Sequence, residues 1–347
     1  GAATGMIAVI KADAYGHGAV RVARAALSAG AEWLAVATIQ EAAEIPVAGI
    51  VAPILVLGPV GPGDEGQAVA LGARLSVHEP GSLSRISGAA RGARIRPRLH
   101  LKVDTGMGRL GCSPDEAVLL ARRVHEDPNL ELEGLWTHFA EADDPGSPRT
   151  QEQLRAFLGV VSDLASSGIS PPVLHCANSA AALLFPSTRL AMVRVGLPIY
   201  GYAPTPALLE GLNLRPVLSW KSRVVAIHAL DAGDRVGYGG TFRASAPRRT
   251  ATVSTGYADG YPRALSNRGE VLVGGVRAPV IGRISMDYLT IDVTDAGDVG
   301  VGDEVVIIGR QGGHAITADD LARQLQTISW EVLTMIGRRV ERVDVDD

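Results

Sequence analysis

Short apolar runs alternate with amphipathic stretches from the first residues to about residue 200. The runs Met6–Lys11, Trp33–Ala37, Ile54–Leu57, Ala73–Val77, Arg98–Val103, Leu132–Thr137, Val173–Cys176 and Met192–Val195 read as strands. Segments of helical period lie between them. Ala19–Ala29 is alanine-rich and stops at Gly30. Ser113-Pro114-Asp115-Glu116 joins a Ser cap, a Pro at the first helical position and an acid three residues on, a capping box for a helix running to about His125. Gln151–Ser166 is a further amphipathic run. Short strands alternating with helices predict parallel βα units, and eight of them predict a closed (β/α)8 barrel of the TIM type. An open doubly wound sheet is the alternative. It is disfavoured because no Gly-x-Gly-x-x-Gly turn follows the first strand.

The pattern changes after Pro204. Short alternating strands with Gly and Asp turns are predicted at Leu218–Ile227, Arg235–Tyr238, Thr250–Ser254, Val271–Val273, Pro279–Ile281, Leu289–Val293 and Val305–Ile308. Only Ala318–Gln326, after a cap at Thr317, has a helical pattern here. The expected organisation is therefore a barrel domain over residues 1–212 and a C-terminal β-rich domain over residues 213–347.

Composition narrows the function classes. Apolar residues make up 46% and charged residues 20% of the 347 positions, as in a globular enzyme. A net charge of -4 gives no electrostatic reason to expect nucleic acid or an anionic membrane as partner. No apolar stretch approaches the length of a membrane span. Cys112 and Cys176 make no disulfide framework and lack metal-ligand spacing. A reducing compartment fits, and the cytoplasm is the expected location. The chain opens on Gly1 and Met6 begins a strand almost at once, so some natural N-terminal sequence is expected to be missing.

Lysine usage singles out one position. Of 33 basic residues only Lys11, Lys102 and Lys221 are lysines. Arginine does not deprotonate, so a surviving lysine is a candidate for work that arginine cannot do. Lys11 ends the first apolar run in Ala8-Val9-Ile10-Lys11-Ala12-Asp13-Ala14-Tyr15-Gly16-His17-Gly18. Burial there would favour the neutral amine, the form that attacks carbonyls to make Schiff bases. An arginine bias of compositional origin, with Lys11 merely capping a strand, is the plainer reading.

Other polar residues gather at the same ends of the expected strands. Tyr15 and His17 lie past strand 1. Lys102 lies on strand 5, with Asp104 and Arg109 following. His138 follows strand 6. His175 lies on strand 7 before Asn178 and Ser179, and Arg194 lies on strand 8 before Gly196. Barrel enzymes keep their chemistry at these ends, and the loops after strands 7 and 8 are the usual phosphate site. Ser179 at the start of an Ala-rich helix and Gly196 suit that role, although Ser179 could equally be an ordinary helix cap. A Schiff-base lysine and a phosphate cradle on one rim suggest pyridoxal 5'-phosphate. A metal-free aldolase acting on a phosphorylated sugar is the other reading, and it leaves the β domain unexplained.

The carrying motifs resemble the alanine racemases over essentially the whole chain. They are Ile10-Lys11-Ala12-Asp13-Ala14-Tyr15-Gly16-His17-Gly18, Lys102-Val103-Asp104-Thr105-Gly106-Met107-Gly108-Arg109, Thr137-His138-Phe139, His175-Cys176-Ala177-Asn178-Ser179, Gly256-Tyr257-Ala258-Asp259-Gly260 and Gly282-Arg283-Ile284-Ser285-Met286-Asp287. The resemblance implies a pyridoxal-phosphate enzyme that interconverts L- and D-alanine, the latter for peptidoglycan. It also implies that relatives carry additional N-terminal residues belonging to the β domain. Lys11 would hold the cofactor and act as one of two bases, on the D side. Tyr238, which lies 19 positions before Tyr257, would be the base on the L side. Tyrosine has an ordinary pKa near ~10, so His138, Arg194 and His175 would tune it. Arg194 would bond the pyridine nitrogen and leave it unprotonated. His138 would stack near the ring. Tyr15, Asn178, Ser179, Gly196 and Leu197 would complete the cofactor site.

The same resemblance assigns Arg109 to the substrate carboxylate, assisted by the Met286 backbone beside Asp287. Lys102 resembles a lysine that is carbamylated in many relatives and orients Arg109. Unmodified, it would be an ordinary lysine beside Asp104. Asp143, Tyr257, Arg263, Arg283 and Ile328 match positions lining the family's access corridor, and surface or interface packing would explain them equally. Tyr238, Met286 and Asp287 belong to the β domain and Lys11 to the barrel, so a head-to-tail homodimer with shared sites is expected. One position departs from the pattern: Trp330 stands where relatives usually carry a tyrosine that reaches the phosphate. Indole keeps one donor but cannot accept a hydrogen bond. A methylene's worth of pocket is only ~1–3 kcal/mol, so serine is a competing substrate. A barrel decarboxylase and a non-catalytic cofactor carrier remain as alternatives. Arg194 argues against the first, and Tyr238 with the β domain argues against the second.

Overall fold

The structure, a computed structural model, describes residues 4–205, 208 and 211–345. The chain divides into two compact units, Gly1–Ala14 with Gly18–Leu214, and Tyr15–His17 with Arg215–Asp347.

The first unit is built on eight parallel strands: β1 (Gly5–Val9), β2 (Trp33–Val36), β3 (Ile54–Val56), β4 (Arg74–Val77), β5 (Arg98–Lys102), β6 (Glu131–Trp136), β7 (Val173–His175) and β8 (Met192–Val195). All eight fall where the apolar runs predict them. A single turn, α1 (Lys11–Tyr15), follows β1. Between the strands lie α2 (Ala19–Ser28), α3 (Ile39–Val47), α4 (Glu65–Leu71), α5 (Pro80–Ala93), α6 (Pro114–Glu126), α7 (Arg149–Ser166) and α8 (Ser179–Leu184). The predicted capping box opens α6, with Ser113 and Glu116 bonding each other's backbone N–H. A second box, Thr38 with Glu41, opens α3. Leu34, Ala35 and Val36 of β2 and Leu55 and Val56 of β3 are fully buried, as strands covered on both faces must be. Phe157 on α7 is also fully buried and contributes about 2–3 kcal/mol of apolar burial.

The barrel has one seam. The strand order is β7-β6-β5-β4-β3-β2-β1-β8, and among the described residues no ladder joins β7 to β8. Arg194 on β8 spans the gap. Its backbone N–H donates to the Ala177 carbonyl at 3.0 Å. Its guanidinium donates to the carbonyls of Thr137 (2.8 Å), Cys176 (3.0 Å) and His175 (3.1 Å). Buried carbonyls need donors, and here one side chain supplies what a ladder would have supplied.

The second unit carries a seven-stranded sheet in the order β13-β14-β15-β12-β9-β16-β17, with an added β13–β16 pairing that curls it back on itself. Its strands are β9 (Trp220–Leu230), β12 (Arg248–Val253), β13 (Glu270–Val273), β14 (Val276–Ile281), β15 (Leu289–Asp292), β16 (Glu304–Gln311) and β17 (His314–Ile316). All its ladders are antiparallel. β10 (Arg235–Val236) and β11 (Phe242–Arg243) form a separate ribbon. The predicted strand Arg235–Tyr238 stops at Val236 because Gly237 turns the backbone to φ 72°, and Tyr238 opens a 3-10 turn instead. The helix α9 (Ala318–Leu325) begins at the predicted Thr317 cap. A second helix, α10 (Ser329–Met335), was not anticipated. It is short, has no side-chain cap, and carries the β-favouring residues Trp330, Val332 and Thr334, so its sequence does not announce a helix.

Candidate active site

Lys11 stands just beyond the C-terminal end of β1. The predicted strand Met6–Lys11 is shortened to Gly5–Val9 because Ala12, Asp13, Ala14 and Tyr15 all adopt left-handed backbone, with φ between 51° and 53°. The turn is closed by Ala14 N–H donating to the Ile10 carbonyl at 2.8 Å. The Asp13 carboxylate accepts the Ala19 N–H at 2.7 Å and so ties the turn to the start of α2. Glu41 receives the Ala12 N–H with one oxygen and the Ala37 N–H with the other, both at 2.7 Å. The Lys11 side chain is half-buried and makes no hydrogen bond or ion pair among the described residues. Burial, then the Arg109 charge, hold its amine below the ordinary lysine value, while Glu41 opposes them.

Arg194 anchors the next strand round the barrel. β1 and β8 are paired in register, Ile7 beside Arg194 and Ala8 beside Val195, so Lys11 and the residues after Val195 rise from adjacent strand ends. Besides the seam carbonyls, Arg194 donates to His175 Nδ1 at 2.8 Å and His138 Nδ1 at 3.2 Å. Its Nη1 and Nη2 are thus taken up by the protein, while Nε makes no hydrogen bond among the described residues. Burial lowers the Arg194 pKa to about 10. His138 is held well below the ordinary histidine value by burial and by Arg194, Arg109, Lys102 and Lys11. It is a neutral imidazole. Its Nδ1 accepts from Arg194, which leaves the proton on Nε2.

Lys102 and Arg109 complete the cationic cluster. Lys102 is buried on β5 with its Nζ 4.4 Å from the Trp136 ring centroid. Arg194 lies over the same indole at 4.9 Å. Burial, then Arg109 and Arg194, push the Lys102 amine down to about 8 against the pull of Asp104. Arg109 is exposed at the end of a loop that Asp104 organises. The Asp104 carboxylate accepts the N–H groups of Gly106 (2.9 Å), Met107 (2.8 Å) and Gly108 (2.9 Å). Gly111 closes the loop, and a Cβ there would lie 2.4 Å from the Asp104 nitrogen. Lys102 and Arg109 are not bonded to each other among the described residues, and the Arg109 charge lowers the amines of both Lys102 and Lys11.

Beyond β7 and β8 the loops meet. Asn178, and not Ser179, is the cap of α8: its side chain accepts the Ala181 N–H at 2.9 Å. The Ser179 hydroxyl accepts the Gly196 N–H at 2.9 Å. A 3-10 turn, Leu197–Tyr200, follows, and the Tyr200 hydroxyl pins it to the Val9 carbonyl of β1 at 2.8 Å.

The second unit holds the remaining candidates. Tyr15 is buried, which pushes its phenol up to about 12 and keeps it a donor. Tyr238 is 71% exposed and Met286 53% exposed. Tyr257, Ile328, Arg263 and Arg283 are exposed as well, and Trp330 is half-buried on α10. Asp287 is paired with Arg339 at 2.8 Å, and Arg339 also holds Asp259 at 3.2 Å. The Met286 carbonyl accepts the Ala258 N–H at 3.0 Å. In the first unit Asp143 is exposed.

A desolvated lysine, a neutral histidine and a cationic cluster at the C-terminal mouth of a parallel barrel define an enzyme active site. Comparison with known proteins identifies the kind. Residues 1–204 match the alanine racemase N-terminal domain and residues 217–344 the alanine racemase C-terminal domain. The alanine racemase of Symbiobacterium thermophilum is 44% identical over 337 residues, covering 97% of this chain and 89% of its own. The crystal structure of alanine racemase from D-cycloserine-producing Streptomyces lavendulae superposes with a TM-score of 0.92 at 39% identity, over 99% of this chain and 91% of its own. A histidine racemase from Leuconostoc mesenteroides subsp. sake has a TM-score of 0.91 at 30% identity, over 99% of this chain and 92% of its own. The chain belongs to the alanine racemase family, a family of isomerases. No helix among the described residues is long and apolar enough to cross a membrane.

Several residues that shape the site lie outside the sequence reading. Glu41 was legible as the fourth position of Thr38-Ile39-Gln40-Glu41, a capping-box pattern. His100 was legible from its spacing of two from Lys102 on one strand, which puts both on the same face. Gln153 on α7 is buried and bonds Thr105, the His138 carbonyl and the Ala140 N–H, so it clamps the Arg109 loop to the His138 loop. Nothing local marks Gln153, because both loops are remote in sequence.

Proposed function

We propose that the protein is a pyridoxal-phosphate-dependent racemase that interconverts L- and D-alanine, with Lys11 and Tyr238 as its two bases. The observation that carries this reading is the pairing of an unbonded, desolvated Lys11 amine with Arg194 on the adjacent strand end. The donor set suits the cofactor. Arg194 has one N–H, on Nε, left for a ring nitrogen, and a guanidinium cannot hand over that proton. Ser179, Gly196 and Leu197 gather hydroxyl and backbone groups suited to a phosphate. The resemblance adds Tyr15, Asn178 and Trp330 to the cofactor set. When bound, pyridoxal 5'-phosphate supplies a carbonyl that amines take up in turn and a ring that draws electrons from the substrate Cα.

The protein's own residues then account for racemisation. Lys11, whose neutral form is favoured, moves a proton at Cα on one face. Tyr238 moves one on the opposite face, as inversion requires. Arg109 holds the substrate carboxylate, with the Met286 backbone assisting beside Asp287. His138, a neutral imidazole bonded to Arg194, would lie beside the cofactor ring. A carbamate on Lys102 would orient Arg109. Asp143, Tyr257, Arg263, Arg283 and Ile328 line the approach. The exposed Tyr238, Met286 and Ile328 support a homodimer in which the β domain of residues 213–347 serves the barrel of residues 1–212 in a second copy. The cytoplasm is the proposed location, with D-alanine for peptidoglycan as the product's use.

The test is incubation of purified, cofactor-loaded protein with L-alanine in deuterated water, with L-serine and L-histidine as competitors. D-Alanine carrying deuterium at Cα is expected. Release of CO2 from a diamino acid, or a yellow protein without turnover, would overturn the reading.

A further inference from the structure

All the hydrogen bonds of the buried Arg194 guanidinium end on neutral acceptors, either backbone carbonyls or imidazoles. An uncompensated buried charge is costly, so a compensating group is expected nearby. It lies two imidazoles away. His175 Nε2 is 2.9 Å from His100 Nδ1, and His100 Nε2 is 3.0 Å from a Glu133 oxygen. Glu133 is held in turn by Arg74 at 3.0 Å and 3.3 Å. The five residues sit on β4, β5, β6, β7 and β8, and the chain of bonds crosses the barrel interior from Arg74 to the seam. His100 and His175 are fully buried.

The direction of every bond in this chain is forced. Arginine only donates, so His175 Nδ1 accepts. A neutral imidazole that accepts at Nδ1 carries its proton on Nε2, and His175 therefore donates to His100 Nδ1. His100 must then carry its own proton on Nε2 and donate it to Glu133. Burial keeps both rings below the ordinary histidine value, which agrees with neutral rings. Packing holds the planes: Trp136 stacks on His175 at 5.5 Å and 13°, and Trp33 meets His100 edge-on at 5.6 Å.

We propose that Glu133 is a positioning residue for the site. Acting through His100 and His175, it accepts the last proton of a chain whose direction Arg194 fixes, and so holds both rings and the rotation of Arg194, with Nε left as its unbonded nitrogen. This inference rests on the cofactor-binding role given to Arg194 above.

Nitrogen-15 NMR of histidine-labelled wild-type protein tests the first part without any activity. Both His100 and His175 are expected as the Nε2–H tautomer across neutral pH. A proton on His175 Nδ1 would overturn the proposal whether or not the protein racemises alanine. The second part is tested with Glu133→Leu and Glu133→Gln. Leucine leaves the His100 Nε2–H without an acceptor in the core, so shifted ring signals of His100 and His175 and a displaced Arg194 Nε–H signal are expected, with kcat lower by roughly ten-fold or more and KM for alanine little changed. Glutamine keeps an acceptor for His100 and is expected to restore the wild-type signals and most of kcat. A folded Glu133→Leu protein with wild-type signals and turnover would overturn it. If the leucine variant does not fold, Glu133→Gln decides: displaced signals while kcat stays at the wild-type level would be equally fatal. Absence of alanine racemisation in wild-type protein with the expected tautomers would instead count against the functional reading alone.

Discussion

The Glu41 carboxylate accepts the backbone N–H of Ala12 at 2.7 Å and so holds the residue directly after Lys11. The same side chain completes the cap of α3 and takes the Ala37 N–H. Glu41→Ala should therefore do two things at once. It leaves N–H groups without partners, at a cost of about 1–3 kcal/mol, and it releases the turn that aims Lys11. A lower melting temperature and a larger proportional loss of kcat/KM are expected from calorimetry and racemisation kinetics. A variant that is destabilised but turns over normally would separate the cap from the site.

Lys102 has the chemistry needed to take up CO2. With its pKa pushed down to about 8, roughly a tenth of the amine is neutral at pH 7, against roughly one in three thousand for an ordinary lysine. Carbamates form from neutral amines, so occupancy should rise as pH rises through that value. Protein equilibrated with carbon-13 bicarbonate should show a carbamate resonance that is lost in Lys102→Ala. Its absence at pH 8.5 would leave Lys102 unmodified.

Asp104 couples acid stability to the Arg109 loop. Burial pushes its carboxyl up, but the N–H groups of Gly106, Gly108 and Met107 outweigh that and set it below the ordinary aspartate value. A carboxyl lowered in the folded state contributes stability above its unfolded pKa of ~3.9 and loses it as pH falls through the lower folded value. Asp104→Asn should thus melt earlier than wild type at pH 7, and the gap should close on acidification toward pH 3. KM for alanine should rise if Arg109 on this loop is the carboxylate clamp proposed above. Thermal melts across pH and initial rates check both.

The proposed sharing of sites between two copies is tested quantitatively by mixtures. Lys11→Ala and Tyr238→Phe should each be inactive. Unfolded together and refolded in equal amounts, half the dimers should be mixed, and each mixed dimer should hold one intact site. Activity should return to roughly a quarter of wild type. No recovery, with light scattering showing mixed dimers, would mean that Lys11 and Tyr238 act within one chain.

The barrel strands and the helices α2, α6, α7 and α9 were legible because each is announced by local pattern. Ser113 and Thr317 mark their helices by capping chemistry, and the apolar runs mark all eight strands. The candidate site could be read where one strand end carries one unusual residue, as at Lys11 and Arg194, and the structure brings these two to adjacent strand ends. What escaped depends on neighbours far apart in sequence. Glu133 matters through His100 and His175, which come from other strands. Gly134 is glycine because a Cβ there would lie 2.1 Å from His100 Nδ1, a reason invisible until the strands are paired. The barrel's seam also has no sequence signature. Arg194 could be read as a site residue, but not as the group that joins β7 to β8.

The turn that follows Lys11 runs in the mirror-image sense through four residues with side chains. Each of them is roughly 1–2 kcal/mol worse in that hand than in the ordinary one. Such a turn cannot be lengthened, so the spacing between the lysine and α2 behaves as a fixed ruler. A saturation library at the exposed position 12 should accordingly recover glycine, asparagine and aspartate and reject valine, isoleucine and threonine, and the turn should tolerate neither an inserted nor a deleted codon.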